Sequence, residues 1–294
     1  MKSIGIERAD RVGYLLIAPF YAFLVVFVLA PIAANGALSF TNYDLINLDF
    51  VGLKNYRYML QDEHFLISLK NTALYSFFTL IFSMALGLSA ALLLKKDAPG
   101  VKFSRICFYT PYVASMVAVS MIWLWIYDPR NGLANLALGL FKLQGRQWLY
   151  DERYALGCII VMSIWKVLGY NMVVFLAGLH GIPAYLYEAA TIDGAGALAR
   201  FRRITLPMLR PVTFFLFVTG TINSFKVFEQ VMILTAGGPS NATTTVVHQI
   251  YNRAFNEFSM GYAAALSVAL LSIVALVTFI NYKYGNQGQD LEMG

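Results

Sequence analysis

The sequence predicts an all-α membrane protein with six transmembrane helices and both termini cytoplasmic, and three features of it carry that expectation. Its 294 residues are 59% apolar and 13% charged, whereas soluble domains average ~45–50% apolar and ~25% charged. The apolar residues gather into stretches of about 20, each long enough to cross ~30 Å of hydrocarbon. Lys and Arg cluster in short segments between those stretches.

The first span, 14–38, outlasts the ~7–15-residue apolar core of a secretory signal and reads as a retained helix. The second covers 71–94. The third, 106–127, ends in Trp123, Trp125 and Tyr127, residues suited to anchoring at the membrane interface. The fourth, 155–180, contains Lys166, and the fifth, 211–235, contains Lys226 and Glu229. The sixth, 261–282, closes on Tyr282, another interfacial anchor. The other four spans carry no charge. Water is missing from the bilayer core, so backbone polar groups must pair within each segment, which selects helices over open sheets. Nothing is left over for an independent soluble domain, so residues 1–294 read as a single transmembrane domain. The two halves show no internal repeat, and the polar GNQGQDLEMG at the C-terminus reads as a flexible tail.

Orientation follows from the basic residues. With a cytoplasmic N-terminus, 12 of them (Lys2, Arg8, Arg11, Lys95, Lys96, Lys102, Arg105, Arg200, Arg202, Arg203, Arg210 and Lys283) lie inside and eight lie outside. The inside ones crowd short segments next to helix ends, where the positive-inside bias acts. This topology also accounts for the formal charge of +6 without a nucleic-acid partner.

The segment 181–210 is cytoplasmic in this orientation. Pro183 suits the first position of a helix, and Tyr185, Ala189 and Ile192 then share one face. Glu188 sits early, where the helix dipole favours a carboxylate. Asp193, Gly194 and Gly196 end the helix. A second short piece, 197–204, carries Phe201 and Ile204 among Arg200, Arg202 and Arg203, before Leu206-Pro207 stops it and Pro211 opens the next span. From these residues alone, an ordinary basic loop and a docking site for another protein are equally good readings.

The same stretch resembles the EAA motif of permease subunits of ATP-binding-cassette importers, in the form seen in the carbohydrate-uptake branch. The matching residues are Glu188-Ala189-Ala190, Asp193-Gly194-Ala195, Phe201, Ile204, Leu206-Pro207 and Pro211. The resemblance extends through FVGLKNYRYML (50–60), NTALYSFF (71–78), the stretch from Pro111 to Asn135 and LTAGGPSNATTTVVHQIYNRAF (234–255). It implies a type I importer permease fold in a bacterial inner membrane. Glu188, Ala189, Ala190, Asp193 and Gly194 would then form the contact with the ATPase, and the outer 235–260 loop would face an extracytoplasmic binding protein. The implied partners are a second permease, two ATP-binding subunits that hold ATP and Mg, and that binding protein. The chain itself would hold no cofactor. The implied activity is import of a sugar or oligosaccharide by alternating access.

Charged residues inside a span are functional candidates because burying one costs at least about 2.5 kcal/mol. Lys226 and Glu229, three apart, read as a neutralising pair on one helix face or as lining a polar path. Gly169, Tyr170, Asn171, Asn223, Ser224, Lys226, Glu229 and Gln230 offer donors, acceptors and a ring face near mid-membrane, as a sugar requires. Cys107 and Cys158 read as small hydrophobes. His64, His180 and His248 lack metal-ligand spacing, and no nucleophile elbow or phosphate cradle appears. The chain therefore reads as a transport subunit rather than an enzyme. Import of a phosphorylated polyol such as glycerol 3-phosphate, an ion-coupled secondary carrier using Lys226 and Glu229, and a recruiting scaffold are the alternatives.

Overall fold

The computed structural model describes residues 3–96 and 98–285, with side chains for 13–96 and 98–283. Lys2 and the tail beyond Gly285 lie outside the described residues, as do the side chains of Arg8 and Arg11. Helix dominates, and the described residues hold one isolated antiparallel bridge, Thr41 with Phe50, but no named strand. The chain falls into two compact units, 1–62 with 250–271 and 63–249 with 272–294.

The first unit opens with α1 (Ser3–Leu24), a π-turn (Val25–Leu29) and α2 (Ala30–Leu38), which together make one apolar helix. Its stretch Gly13–Leu38 is long enough to span a membrane and has no buried residue in its most apolar window, so its side chains suit lipid. A short α3 (Lys54–Met59) follows. The carbonyl of Thr41 accepts from the Asn55 side chain at 2.8 Å, and the Tyr43 carbonyl accepts from Gly261 N–H at 2.9 Å. Here, too, the buried carboxylate of Asp62 accepts from Arg253 Nη2 at 3.0 Å and from the Tyr262 hydroxyl at 2.7 Å.

The second unit is built on α4 (Glu63–Leu93), followed by α5 (Val101–Val113), α6 (Met116–Ile126) and α7 (Leu133–Leu140). Next come α8 (Ala155–His180), α9 (Ala184–Ile192), α10 (Ala197–Arg200), a π-turn (Phe201–Thr205), α11 (Leu206–Met208) and α12 (Arg210–Phe225). It continues through α13 (Glu229–Leu234) and α14 (Val246–Tyr251). The last residues of α14, a π-turn (Asn252–Asn256) and the start of α15 (Met260–Gly285) belong to the first unit, and α15 from Ser272 onward belongs to the second. Leu80, Met84, Met172, Phe175, Leu209 and Leu216 form one apolar cluster among α4, α8 and α12. Tyr75, Val119, Tyr127, Ile159, Met162 and Val231 form another.

Among the described residues, four helices are long and apolar enough to cross a membrane, and the number rises to six if each of two bent pairs is one span. The fourth expected span, 155–180, coincides with α8, but the third is not one straight helix. It breaks at Ala114 and Ser115, both in extended conformation, and α5 and α6 meet at 101°. The fifth differs as well. It bends by 60° between residues 197–208 and α12, then breaks after Phe225, and α13 starts four residues later. The Val227 carbonyl, left without its helical partner, accepts from Thr245 Oγ1 at 2.9 Å. Side chains thus replace the backbone bonds that each break removes, as a low-dielectric setting demands.

Two of the expected interfacial anchors sit elsewhere. Tyr127 is buried, with its hydroxyl donating to the Cys158 carbonyl at 3.1 Å, and the Trp123 ring packs 5.1 Å from it. Trp125 and Tyr282 are exposed, as anchoring requires. Cys158 is buried among apolar side chains, and Cys107 is exposed on α5.

Candidate functional site

A cavity of 320 Å³ lies inside the second unit, lined by α4, α8, α12, α13 and the α5–α6 break. A wider depression of 840 Å³ lies against residues 138–154, outside the helix bundle, among charged side chains such as Arg146, Asp151 and Arg153. The inner cavity combines an apolar wall, including Leu80 and Leu216, with a few convergent polar groups, which is how small-molecule sites are built.

Lys166 reaches the cavity from α8 and is 7% exposed. Its Nζ donates to the carbonyls of Pro111, Tyr112 and Ala114 at 2.9, 3.3 and 2.6 Å. Those carbonyls belong to the last turn of α5 and the break after it, where helical N–H partners run out. A cation there also meets the negative end of the helix dipole. The ammonium thus replaces missing backbone bonds and holds the bend.

Around it, the rings of Tyr112 and Tyr170 stack at 4.7 Å with 21° between their planes. Asn171 Nδ2 donates to Ser83 Oγ at 3.0 Å, and Gln230 Nε2 donates to the Tyr75 hydroxyl at 2.7 Å. These bonds tie α4 to α8 and to α13.

Of the residues expected along a polar path, Tyr170, Asn171, Asn223, Ser224 and Gln230 line this cavity together. Gly169 does not. A Cβ there would lie 1.9 Å from the Phe108 carbonyl oxygen, so this glycine lets α5 pack directly on α8. Lys226 and Glu229 are exposed and are not among the residues that line the cavity, although Glu229 is within electrostatic reach of Lys166. Their expected helix is interrupted between them, and no described ion pair joins them. Sequence reasoning missed Tyr75, Thr79, Ser83 and Tyr112 as lining residues. Asn71, Tyr75, Thr79 and Ser83 recur every four residues along α4, a polar stripe that was there to be read.

The 181–210 segment forms a helix, a glycine turn and a second helix. Pro183 stands one residue earlier than expected, just before the first residue of α9, and makes no side-chain capping hydrogen bond. At the other end, Ala195 N–H donates to the Ala190 carbonyl at 2.8 Å and Gly194 N–H to the Thr191 carbonyl at 3.1 Å. That is a Schellman cap, and its left-handed position, φ +75°, is Gly194. The inner side of α9 is fixed: Leu186 and Tyr187 pack on the α4–α8–α12 cluster, and the Tyr187 hydroxyl lies 2.9 Å from Thr205 Oγ1. The ammonium of Lys95, just past α4, sits 4.8 Å from the centre of the Tyr187 ring. The outer side is bare. Tyr185 is 65% and Ile192 87% exposed, with Glu188, Ala189, Asp193 and Gly194 exposed beside them and Ala190 half-buried.

Residues 83–284 match the family model described as the inner membrane component of binding-protein-dependent transport systems. The chain belongs to that family. The permease is 36% identical over 288 residues to the probable ABC transporter permease protein YesP of Bacillus subtilis, covering 96% of this chain and 93% of that protein. It is also 36% identical over 276 residues to the sn-glycerol-3-phosphate transport system permease protein UgpA of Agrobacterium fabrum, covering 92% and 93%. A crystal structure of a bacterial alginate ABC transporter, in complex with its alginate-bound periplasmic protein, contains a chain of the same fold. That chain superposes with a TM-score of 0.85 over 96% of each chain at 22% identity. The permease is therefore a multi-pass inner-membrane transport subunit of type I importer fold, and its family serves systems that depend on a binding protein.

Among the described residues, no group of His, Cys, Asp and Glu has the arrangement to hold a metal ion.

Proposed function

We propose that the permease imports a sugar or oligosaccharide by alternating access, with both termini and the 181–210 segment on the cytoplasmic side. A second homologous permease completes the pore, an extracytoplasmic binding protein delivers the substrate, and two separate subunits bind and hydrolyse ATP with Mg. The bare outer face of α9 is the observation that carries this reading. Large apolar side chains such as Tyr185 and Ile192 stand uncovered beside Ala189 and Gly194, on a helix whose opposite side is locked into the bundle. A partner surface would cover the one side, and displacement of α9 would be passed directly to α4, α8 and α12 through the other. Glu188, Ala189, Ala190, Asp193 and Gly194 are assigned to that ATPase contact.

The inner cavity, with Tyr170, Asn171, Asn223, Ser224 and Gln230, is assigned to the substrate path. A second reading, import of a phosphorylated polyol, is favoured by the likeness to the glycerol-3-phosphate permease UgpA. The complete complex, reconstituted with its binding protein, is expected to hydrolyse ATP faster when one particular saccharide is added. An ATPase rate indifferent to every saccharide but raised by glycerol 3-phosphate would replace the first reading with the second.

A further inference from the structure

The chain from Tyr127 to Tyr154 joins α6 to α8, and α7 (Leu133–Leu140) is the one helix within it. Eight residues make α7 about 12 Å long, far short of the ~30 Å of hydrocarbon that a span must cross. The connection therefore stays on the membrane face where α8 begins. It is also tied down at both ends. The Asp128 carboxylate accepts from the N–H groups of Arg130 and Asn131 at 3.0 and 2.7 Å, and a Cβ on Gly132 would collide with the Ile126 and Asp128 carbonyls, so the chain turns back tightly on the end of α6. On α7, Asn135 Nδ2 donates to the carbonyls of Pro129 and Arg146 at 2.9 Å each. Its Oδ1 accepts from Arg146 N–H at 2.9 Å and from Trp148 Nε1 at 2.8 Å. Both donors and both lone pairs of that amide are spent on holding α7 in place.

A helix fixed in this way presents two unlike sides. Asn135 and Leu138 are half-buried and turn inward, where Leu138 borders the charged depression of Arg146, Asp151 and Arg153. Leu133, Leu136, Ala137 and Leu140, at spacings of three and four, share the opposite side. All four are exposed, Leu140 at 85%. This edge is purely aliphatic, whereas protein interfaces are enriched in aromatic residues, Met and Arg and depleted of Ala. It also continues the apolar surface of α6, where Met121, Ile122 and Trp125 are exposed. Three of the chain's four Trp, Trp123, Trp125 and Trp148, lie in the connection or just before it, with exposed Tyr150 beside them. Trp and Tyr are the residues that favour the headgroup level. Arg130 and Lys142, both exposed, flank α7 on either end, and the carboxylate next to Arg130 is already committed to backbone N–H groups. A short helix with an aliphatic edge, a polar far side and flanking cations has the build of one that lies in a bilayer surface.

We propose that α7 is an interfacial anchor whose partner is the phospholipid bilayer itself. Leu133, Leu136 and Leu140 sink into the acyl chains just below the headgroups, Arg130 and Lys142 meet lipid phosphates, and the charged depression stays in water. The anchor sets the depth of the end of α6, whose Val119 shares a buried cluster with Val231 of α13.

The test uses the chain assembled with its partners in vesicles of phosphatidylethanolamine and phosphatidylglycerol. Nitroxide labels are placed by Leu136→Cys, Leu140→Cys and Gln144→Cys in a Cys107→Ala, Cys158→Ala background, each complex being verified by size-exclusion chromatography. Molecular oxygen concentrates in hydrocarbon, and a water-soluble nickel chelate is excluded from it. Oxygen is expected to relax the labels at Leu136→Cys and Leu140→Cys more than nickel does, with the order inverted at Gln144→Cys, which lies on the depression side. Nickel dominating at all three would leave the edge in water and overturn the proposal. Protection from both reagents at Leu136→Cys and Leu140→Cys would show a protein covering the edge and overturn it equally. A second measurement needs no substitution: the native complex is irradiated with a phospholipid that carries a diazirine on its acyl chain, and adducts are mapped by mass spectrometry. Adducts within 133–140 are expected, and labelling along 14–38 without any in α7 would overturn the proposal however the variants behave.

Discussion

The Nζ of Lys166 lies 2.6 Å from the carbonyl oxygen of Ala114, the residue at which α5 gives way to extended chain. A buried cation on α8 is thereby fastened to the backbone of a helix break 52 residues away in sequence. Lys166→Met keeps the stem but leaves three carbonyls without a donor, at about 1–3 kcal/mol for each acceptor left unpaired. The expected result is a melting temperature in detergent well below that of the native chain, with Lys166→Arg losing less because it keeps the charge and several donors. Equal melting temperatures for Lys166→Met and the native chain would show that the bend is held by other means.

Gly169 and Phe108 mark a close approach of α5 to α8. Even the single methyl of Gly169→Ala would overlap the Phe108 carbonyl, whose backbone position leaves little room to yield. Overpacking of this kind costs about 1–3 kcal/mol. Reduced recovery of monodisperse protein and a lower melting temperature are expected, whereas a fully native melting curve would mean that the two helices separate at no cost.

Gly194 combines a left-handed φ of +75° with open space around the position of a Cβ. The substitution Gly194→Trp is therefore expected to leave membrane insertion and the yield of folded chain nearly unchanged, apart from backbone strain of about 1 kcal/mol. The indole would stand between α9 and any partner surface. Co-purification with the ATP-binding subunits and substrate-stimulated ATP hydrolysis should both fall at least tenfold. Normal import by this variant would remove α9 from the coupling role.

Asp62 is 5% exposed and holds both Arg253 and the Tyr262 hydroxyl. Asp62→Ala strands a largely buried guanidinium, and breaking such a pair from one side costs on the order of 3 kcal/mol. Glu257, a second partner of Arg253 at 2.5 Å, is more exposed and tempers the loss. Pulse proteolysis comparing Asp62→Ala with Glu257→Ala should show the first to be clearly the more susceptible. The opposite order would place the main anchor of Arg253 at the surface.

The long apolar helices were legible because an unbroken apolar stretch signals them directly, and α8 runs over the very residues expected, 155–180. The 181–210 segment was legible because its signals are local: a proline within one residue of the helix start and the Asp193-Gly194 pair that stops it. The breaks at Ala114–Ser115 and after Phe225 were not legible, because an apolar stretch reads the same whether its backbone is continuous or bent. Whether a bend survives depends on a donor or acceptor far away in sequence, Lys166 in one case and Thr245 in the other. The same breaks explain the candidate site. Lys226 and Glu229 share a face only on an unbroken helix, whereas Gln230 enters the cavity because a new helix starts just before it.

In the proposed mechanism this chain moves its substrate with energy supplied by separate ATP-binding subunits. Uptake into proteoliposomes, with ATP or an ion gradient as the alternative driving force, tests it most directly. Uptake is predicted to require ATP, the ATP-binding subunits and the loaded binding protein together, and to be indifferent to proton and sodium gradients. Accumulation driven by an ion gradient, in vesicles holding this chain without ATP or partners, would contradict the account.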